Sequence, residues 1–271
     1  MGYAKSLKVL FAGITLDVED LFFLESFQIK YLPDRLTNRE FAVLLKAHPM
    51  IHKYFASACP SIGAFSETAI AEHASKISEI TDKDCCDELL WEIADLIVYN
   101  KYPELYDTRV EFVWDVDEII AAKHLAGKIV IDAGAGSGKL AFLVAQHAET
   151  VFAVEPAQGF RRFIRDKENC ENVKNIFVVD GFLDSLPFPN ELADVLMTSQ
   201  AIGWNLQDEL QEIERVLKPN GRAIHLFKNF DLAGKEGKSI HESLISEWDY
   251  ECFVFHNESG SKHKYVKIMG A

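Results

Sequence analysis

Up to about residue 125, apolar positions recur at three- and four-residue spacing, the period of helices that bury one face. The stretch "LTNREFAVLLKAHP" opens with Thr37 and Glu40 at capping-box spacing. It then sets Phe41, Leu44, Leu45 and His48 on one side, and Pro49 closes it. "TDKDCCDELLWEIADLIVYN" repeats the design, with Thr81 and Asp84 at its start and a stripe of Leu89, Leu90, Ile93, Ala94, Ile97 and Val98. "SETAIAEHASKISEI" predicts a third helix and "DVDEIIAAKHLAGK" a last one, with loops around Pro33, Pro60–Gly63 and Pro103.

From Lys128 the rhythm changes. Short β-rich runs, "KIVIDA", "TVFAVE", "NIFVVD", "ADVLMT" and "RAIHLF", alternate with helical ones, "KLAFLVAQHA", "GFRRFIRDK" and "LQDELQEIERVLKPNG". Strand, helix, strand at this spacing predicts a parallel sheet with helices on both faces. The last two runs, "YECFVFH" and "HKYVKIM", flank the turn "NESGS" and read as an antiparallel hairpin, so the fold class is α/β with a reversed strand. The domains expected are a helical cap or substrate region, residues 1–120, and the sheet domain, residues 121–271.

Composition narrows the partners. The chain has 271 residues, 48% of them apolar, and a net charge of -14 that repels phosphate backbones and anionic lipid. Nucleic acid and membrane are therefore not expected as partners; small molecules or basic protein segments are. No stretch approaches the ~20 apolar residues of a spanning helix. The N-terminal run reads as mature sequence without a cleavage site. Five cysteines (Cys59, Cys85, Cys86, Cys170, Cys252), none in a C-x-x-C pair, suit a reducing cytoplasm, which is the expected location.

The chemistry lies in "VIDAGAGSGKLAF", residues 130–142. A P-loop needs G-x-x-x-x-G-K-[ST]. Ala133 stands where its first glycine belongs, and Leu140 replaces the metal-binding hydroxyl. A dinucleotide fingerprint, G-x-G-x-x-G, fits Gly134 and Gly136 but finds Lys139 in its third slot. What remains is an acid ending the first strand and then G-x-G-x-G: Asp132, Gly134, Ala135, Gly136, Gly138.

With its downstream companions, this pattern resembles the class I S-adenosylmethionine-dependent methyltransferases over residues 110–271. The resemblance implies a Rossmann-like, mostly parallel seven-stranded sheet with one antiparallel strand. The cofactor would be S-adenosyl-L-methionine and the product S-adenosyl-L-homocysteine. Glycines let the backbone approach the ligand. The following helix start favours its carboxylate, and Asp132 complements its ammonium. Glu155, 21 positions after Gly134, is spaced to accept both ribose hydroxyls, with Pro156 against the adenine face. Asp180 would take the adenine amino group, with Gly181 and Phe182 lining the ring. Thr198 and Ser199 end the fourth strand beside the sulfonium. Many relatives carry a histidine before the tryptophan that follows; here Gly203 precedes Trp204.

Gln200, Trp204 and Asn205, which follow strand four, and Tyr106 are the acceptor-side candidates. Tyr106 and Trp114 are aromatics placed to face a sulfonium cation. No general base is identified; the catalytic residues stay unassigned and no metal is expected. His48 and His52 form H-x-x-x-H without a third ligand, and His225 reads as a satisfied core histidine. Arg161, Arg162, Arg165 and Lys167 read as the solvated face of the second sheet helix. Two other readings stay open: an NAD(P)-dependent oxidoreductase, and a non-catalytic module that binds the adenosyl cofactor. The helical region could also form a homodimer.

Overall fold

Val130 and Ile131, neighbours in strand β1 (Ile129–Ala133), are both fully buried, but in different apolar clusters. That alternation is what a strand buried on both faces requires. The computed structural model describes residues 3–73, 82–228, 235–257 and 260–270, which fall into two compact units, Met1–Val110 and Glu111–Ala271.

In the second unit β1, β2 (Thr150–Val154), β3 (Ile176–Val179), β4 (Ala193–Ser199), β5 (Leu217–Lys228), β6 (Glu251–Asn257) and β7 (Gly260–Ile268) form one sheet in the order β3-β2-β1-β4-β5-β7-β6. The first five run parallel; β7 is antiparallel to both β5 and β6. One reversed strand in seven is the arrangement expected from the sequence. Leu140, Ala141 and Val144 of the helix Lys139–Ala145 and Ile164 of the helix Gln158–Glu171 cover one face. Leu210, Ile213 and Val216 of the helix Leu206–Val216 cover the other. Residues 218–221, "KPNG", the end of a run expected to be helical, form an irregularity inside β5: the register jumps from Ala193↔Leu217 to Val195↔Arg222, with Asn220 at φ 62°. The turn of the closing hairpin falls partly on residues 258 and 259, outside the described residues.

The second unit begins ten residues before the expected boundary at 120. Trp114, Ile119 and Ile120 are buried in its core, and Lys262 of β7 donates to the Val113 carbonyl at 2.9 Å. "DVDEIIAAKHLAGK" forms two short turns, Val116–Ile119 and Ala122–His124, in place of one helix.

Every described element of the first unit is a helix. Thr37 and Glu40 cap the helix Asn38–Ala47 reciprocally, at 3.3 and 3.0 Å. The stripe from Leu89 to Val98 is buried, as its spacing predicts, although the helix breaks at Ile93 into Asp82–Glu92 and Ala94–Lys101. Thr81 lies outside the described residues. Pro33, Pro60 and Pro103, expected in loops, instead open helices, where a fixed φ and a missing N–H cost nothing. No described helix is long and apolar enough to cross a membrane.

Candidate functional site

Because β1 to β4 are parallel, the loops after them meet at one rim, and the strand order reverses between β1 and β4, where open α/β sheets form their crevice. After Asp132 and Ala133 the backbone turns through Gly134, Gly136 and Gly138, all at positive φ (73°, 55° and 85°). The turn is pinned to β2, since the amides of Gly134 and Ala135 both donate to the Val154 carbonyl at 2.9 and 3.0 Å. A Cβ on Gly134 would lie 2.3 Å from that of Ala201, so this glycine also lets the loop after β4 close onto the loop after β1.

Asp132 is 1% exposed, and neither carboxylate oxygen has a hydrogen-bond partner among the described residues. Burial pushes its pKa up to about 7; the Ala141 amide, which misses hydrogen-bond geometry, offsets this in part, and the charge on Glu155 adds to it. A buried acid without a donor is unusual enough to need a reason.

Glu155 joins the first two loops. One oxygen accepts from the Gly136 amide and the other from the Ala157 amide, both at 2.8 Å. Arg161, expected on a solvated face, is buried: its Nη1 donates to the carbonyls of Glu155 (2.9 Å) and Pro156 and to Asp180 Oδ1 (3.0 Å). The helix Gln158–Glu171 starts at the β2 rim, so its first turn points an arginine back into the crevice. Arg162 and Arg165 are exposed, as expected, and Lys167 lies over the Phe142 ring at 4.7 Å. Pro156 is half-buried, Gly181 fits tightly against Pro187 and Val154, and Phe182 is exposed.

At the end of β4, Thr198 turns inward. Its hydroxyl meets His225 Nδ1 at 2.9 Å, and His225 Nε2 meets the Tyr250 hydroxyl at 3.1 Å. Burial pushes the His225 pKa down to about 3, so the ring is neutral, donating at one nitrogen and accepting at the other. Burial raises the Tyr250 phenol. Ser199 is half-buried beside them. Gln200 sits at φ 59°, and its amide grips the β5 backbone, accepting from Lys228 N at 3.0 Å and donating to Lys228 O at 3.3 Å.

Trp204 is 68% exposed, and the Asn205 side chain donates to Asp208 at 2.6 Å. Their loop is held by a residue the sequence reading did not single out. Glu209, 4% exposed, accepts from the amides of Gly203 (2.7 Å), Trp204 (3.1 Å) and Asn205 (3.1 Å). The available signal was an acid in the first turn of a predicted helix. Burial raises the Glu209 pKa, against those three amides.

Trp114 lies elsewhere in the second unit, edge-on to Phe255 at 5.7 Å with the Lys262 ammonium over its ring. Tyr106, in the first unit, packs edge-on against Tyr99 at 5.4 Å. His52 Nε2 is hydrogen-bonded to Ser66 Oγ at 2.8 Å.

Residues 131–225 match the family model described as a methyltransferase domain. An uncharacterized methyltransferase, YcgJ of Bacillus subtilis, is 24% identical over 167 residues, covering 55% of this chain and 66% of that protein. An uncharacterized methyltransferase-like protein of Schizosaccharomyces pombe is 29% identical over 111 residues, 40% of each chain. The alignments thus span two thirds or less of these relatives. The crystal structure of YcgJ superimposes with a TM-score of 0.48 at 16% identity, covering 57% of this chain and 97% of that one. Family match and methyltransferase relatives support a class I, S-adenosylmethionine-dependent methyltransferase domain at residues 131–225, on the Rossmann-like fold that the strand order of the chain itself shows.

Proposed function

We propose that the chain binds S-adenosylmethionine at the rim of β1 to β4 and methylates a small-molecule acceptor. The observation that carries this reading is Asp132: a fully buried carboxylate whose oxygens have no hydrogen-bond partner among the described residues, beside a three-glycine turn. An ammonium is the partner such a group lacks. Bound there, S-adenosylmethionine supplies a methyl group activated toward in-line displacement by its sulfonium charge.

The residues divide the work of holding it. Asp132 provides the counter-charge for the amino-acid end, and Gly134, Ala135, Gly136 and Gly138 keep side chains out of its way. Glu155, held at the end of β2 by the amides of Gly136 and Ala157, is the acid placed to receive the ribose hydroxyls. Asp180, with Gly181 and Phe182, faces the base, and Pro156 lies against it. Thr198 is committed to His225, which leaves Ser199 as the hydroxyl at the end of β4. Gln200, Trp204 and Asn205 form the acceptor side, with Glu209 fixing their loop. The protein contributes chiefly alignment, worth roughly 7 to 11 kcal/mol at best. The net charge of -14 supports a small acceptor over nucleic acid, and the unpaired cysteines Cys59, Cys170 and Cys252 support a reducing cytoplasm.

The test is a calorimetric titration of the full chain with S-adenosylhomocysteine and NAD. It is followed by measurement of S-adenosylhomocysteine release with small-molecule fractions, basic peptides and RNA. Saturable binding of S-adenosylhomocysteine alone, with turnover on small molecules, is the expected outcome. Preference for NAD would overturn the reading; binding without turnover on any acceptor would leave a non-catalytic module.

A further inference from the structure

Arg161 occupies the first turn of the helix Gln158–Glu171, where a cation opposes the helix dipole, and its side chain is only 10% exposed. A guanidinium in that position needs compensation, and it finds three acceptors: the carbonyls of Glu155 and Pro156, behind β2, and Asp180 Oδ1, behind β3. One buried cation therefore ties together the two loops whose acids face the crevice. The Asp180 side chain is 68% exposed and by itself would be free to rotate. With Oδ1 held by Arg161, Oδ2 becomes the oxygen presented at the rim, and an ionised carboxylate presents only an acceptor.

We propose that Arg161 is a positioning residue that fixes the Asp180 carboxylate as a selector for ligands that donate from position 6 of the purine, an amino in preference to an oxo group. This rests on the adenosyl-cofactor reading and adds to it the residue that sets base selectivity. A site built to accept a proton rejects an analogue with a second acceptor there, because two lone-pair groups face each other unpaired.

The experiment compares the affinities of S-adenosylhomocysteine and its inosine counterpart, in which the 6-amino donor becomes an oxo acceptor and N1 gains a hydrogen, for the wild type, Arg161→Leu, Arg161→Gln and Asp180→Asn. The wild type is expected to favour the amino ligand by at least about tenfold, one charge-assisted hydrogen bond. In R161L and R161Q that ratio falls toward one. In D180N, a change at an exposed side chain that leaves the fold intact, it falls toward one or inverts, because the amide can donate. A purely structural role for Arg161 would weaken both ligands equally and leave the ratio at its wild-type value; that result overturns the proposal. If R161L does not fold, R161Q and D180N carry the test. A wild type that binds neither ligand removes the cofactor reading itself, whereas one that binds both equally refutes only the selector.

Discussion

Replacing Asp132 by asparagine should stabilise the protein while weakening its cofactor site. In the folded chain burial pushes the carboxyl up to about 7 from a reference of 3.8, outweighing the Ala141 amide, with the charge on Glu155 adding to the rise. The folded state thus holds that proton more tightly than the unfolded one, so stability falls as pH rises from about 4 to 7. The penalty is complete above 7 and absent below the reference value. Three pKa units correspond to about 4 kcal/mol at pH 8, and to about 2 kcal/mol at pH 5. With a side chain 1% exposed, solvent screens little of this. The asparagine amide, buried in the same place, costs about 1 to 3 kcal/mol for its own missing partners. The net gain at pH 8 is about 2 kcal/mol, or roughly 4 to 8 °C in Tm for a unit of this size. By pH 5 it disappears. Affinity for S-adenosylhomocysteine should meanwhile drop about 100-fold, the order expected when one partner of a buried charge pair is removed. Thermal melts of wild type and Asp132→Asn at pH 8 and pH 5, with a titration of each, measure all three quantities. A Tm difference that is the same at both pH values, or undiminished binding by the variant, would refute the reasoning.

Gly134→Ala combines a left-handed φ of 73° with a Cβ placed 2.3 Å from that of Ala201. It should cost about 2 to 5 kcal/mol in a denaturant titration and abolish S-adenosylhomocysteine binding. Glu209→Ala leaves the amides of Gly203, Trp204 and Asn205 without their acceptor, so hydrogen exchange at these three residues should accelerate, with a stability loss of about 2 to 3 kcal/mol. His225→Phe strands the hydroxyls of Thr198 and Tyr250, at about 2 to 4 kcal/mol near pH 8. Since the buried ring resists protonation down to about 3, the wild type loses stability as pH falls below 6.5. The gap to the variant should therefore narrow by about 1.4 kcal/mol per pH unit there, read from denaturation curves at pH 8 and 5.5.

What the sequence made legible was whatever repeats with the period of an element. The sheet helices and strands, the buried stripe from Leu89 to Val98 and the reversed hairpin all follow from spacing that packing then enforces. The three prolines were misplaced because proline breaks a helix interior and yet suits a helix start, and composition does not distinguish the two. In the rim, the glycines and the acids at strand ends were visible because their positions follow from the strand–turn–helix unit. Arg161 was not. Its sequence neighbours Arg162 and Arg165 are exposed, and only the orientation of the helix start turns one arginine of the three inward. Glu209 was hidden for a related reason, since an acid in a first helical turn is common and its three amides come from a loop with no periodic signal. Gln200 and Thr198 show the converse. Both stand where strand four ends, but their side chains are engaged with β5, a pairing that strand order decides and local sequence does not.

If acids at the ends of β1, β2 and β3 together hold an adenosyl amino acid, as proposed, removing two of them must release it. The most direct measurement is a calorimetric titration of S-adenosylhomocysteine into the wild type and into the Glu155→Gln/Asp180→Asn double variant, with melting curves confirming that both are folded. The account predicts one-to-one binding by the wild type and an affinity at least about 100-fold lower in the variant, from the loss of two charged acceptors. Equal affinity in the two proteins would contradict it.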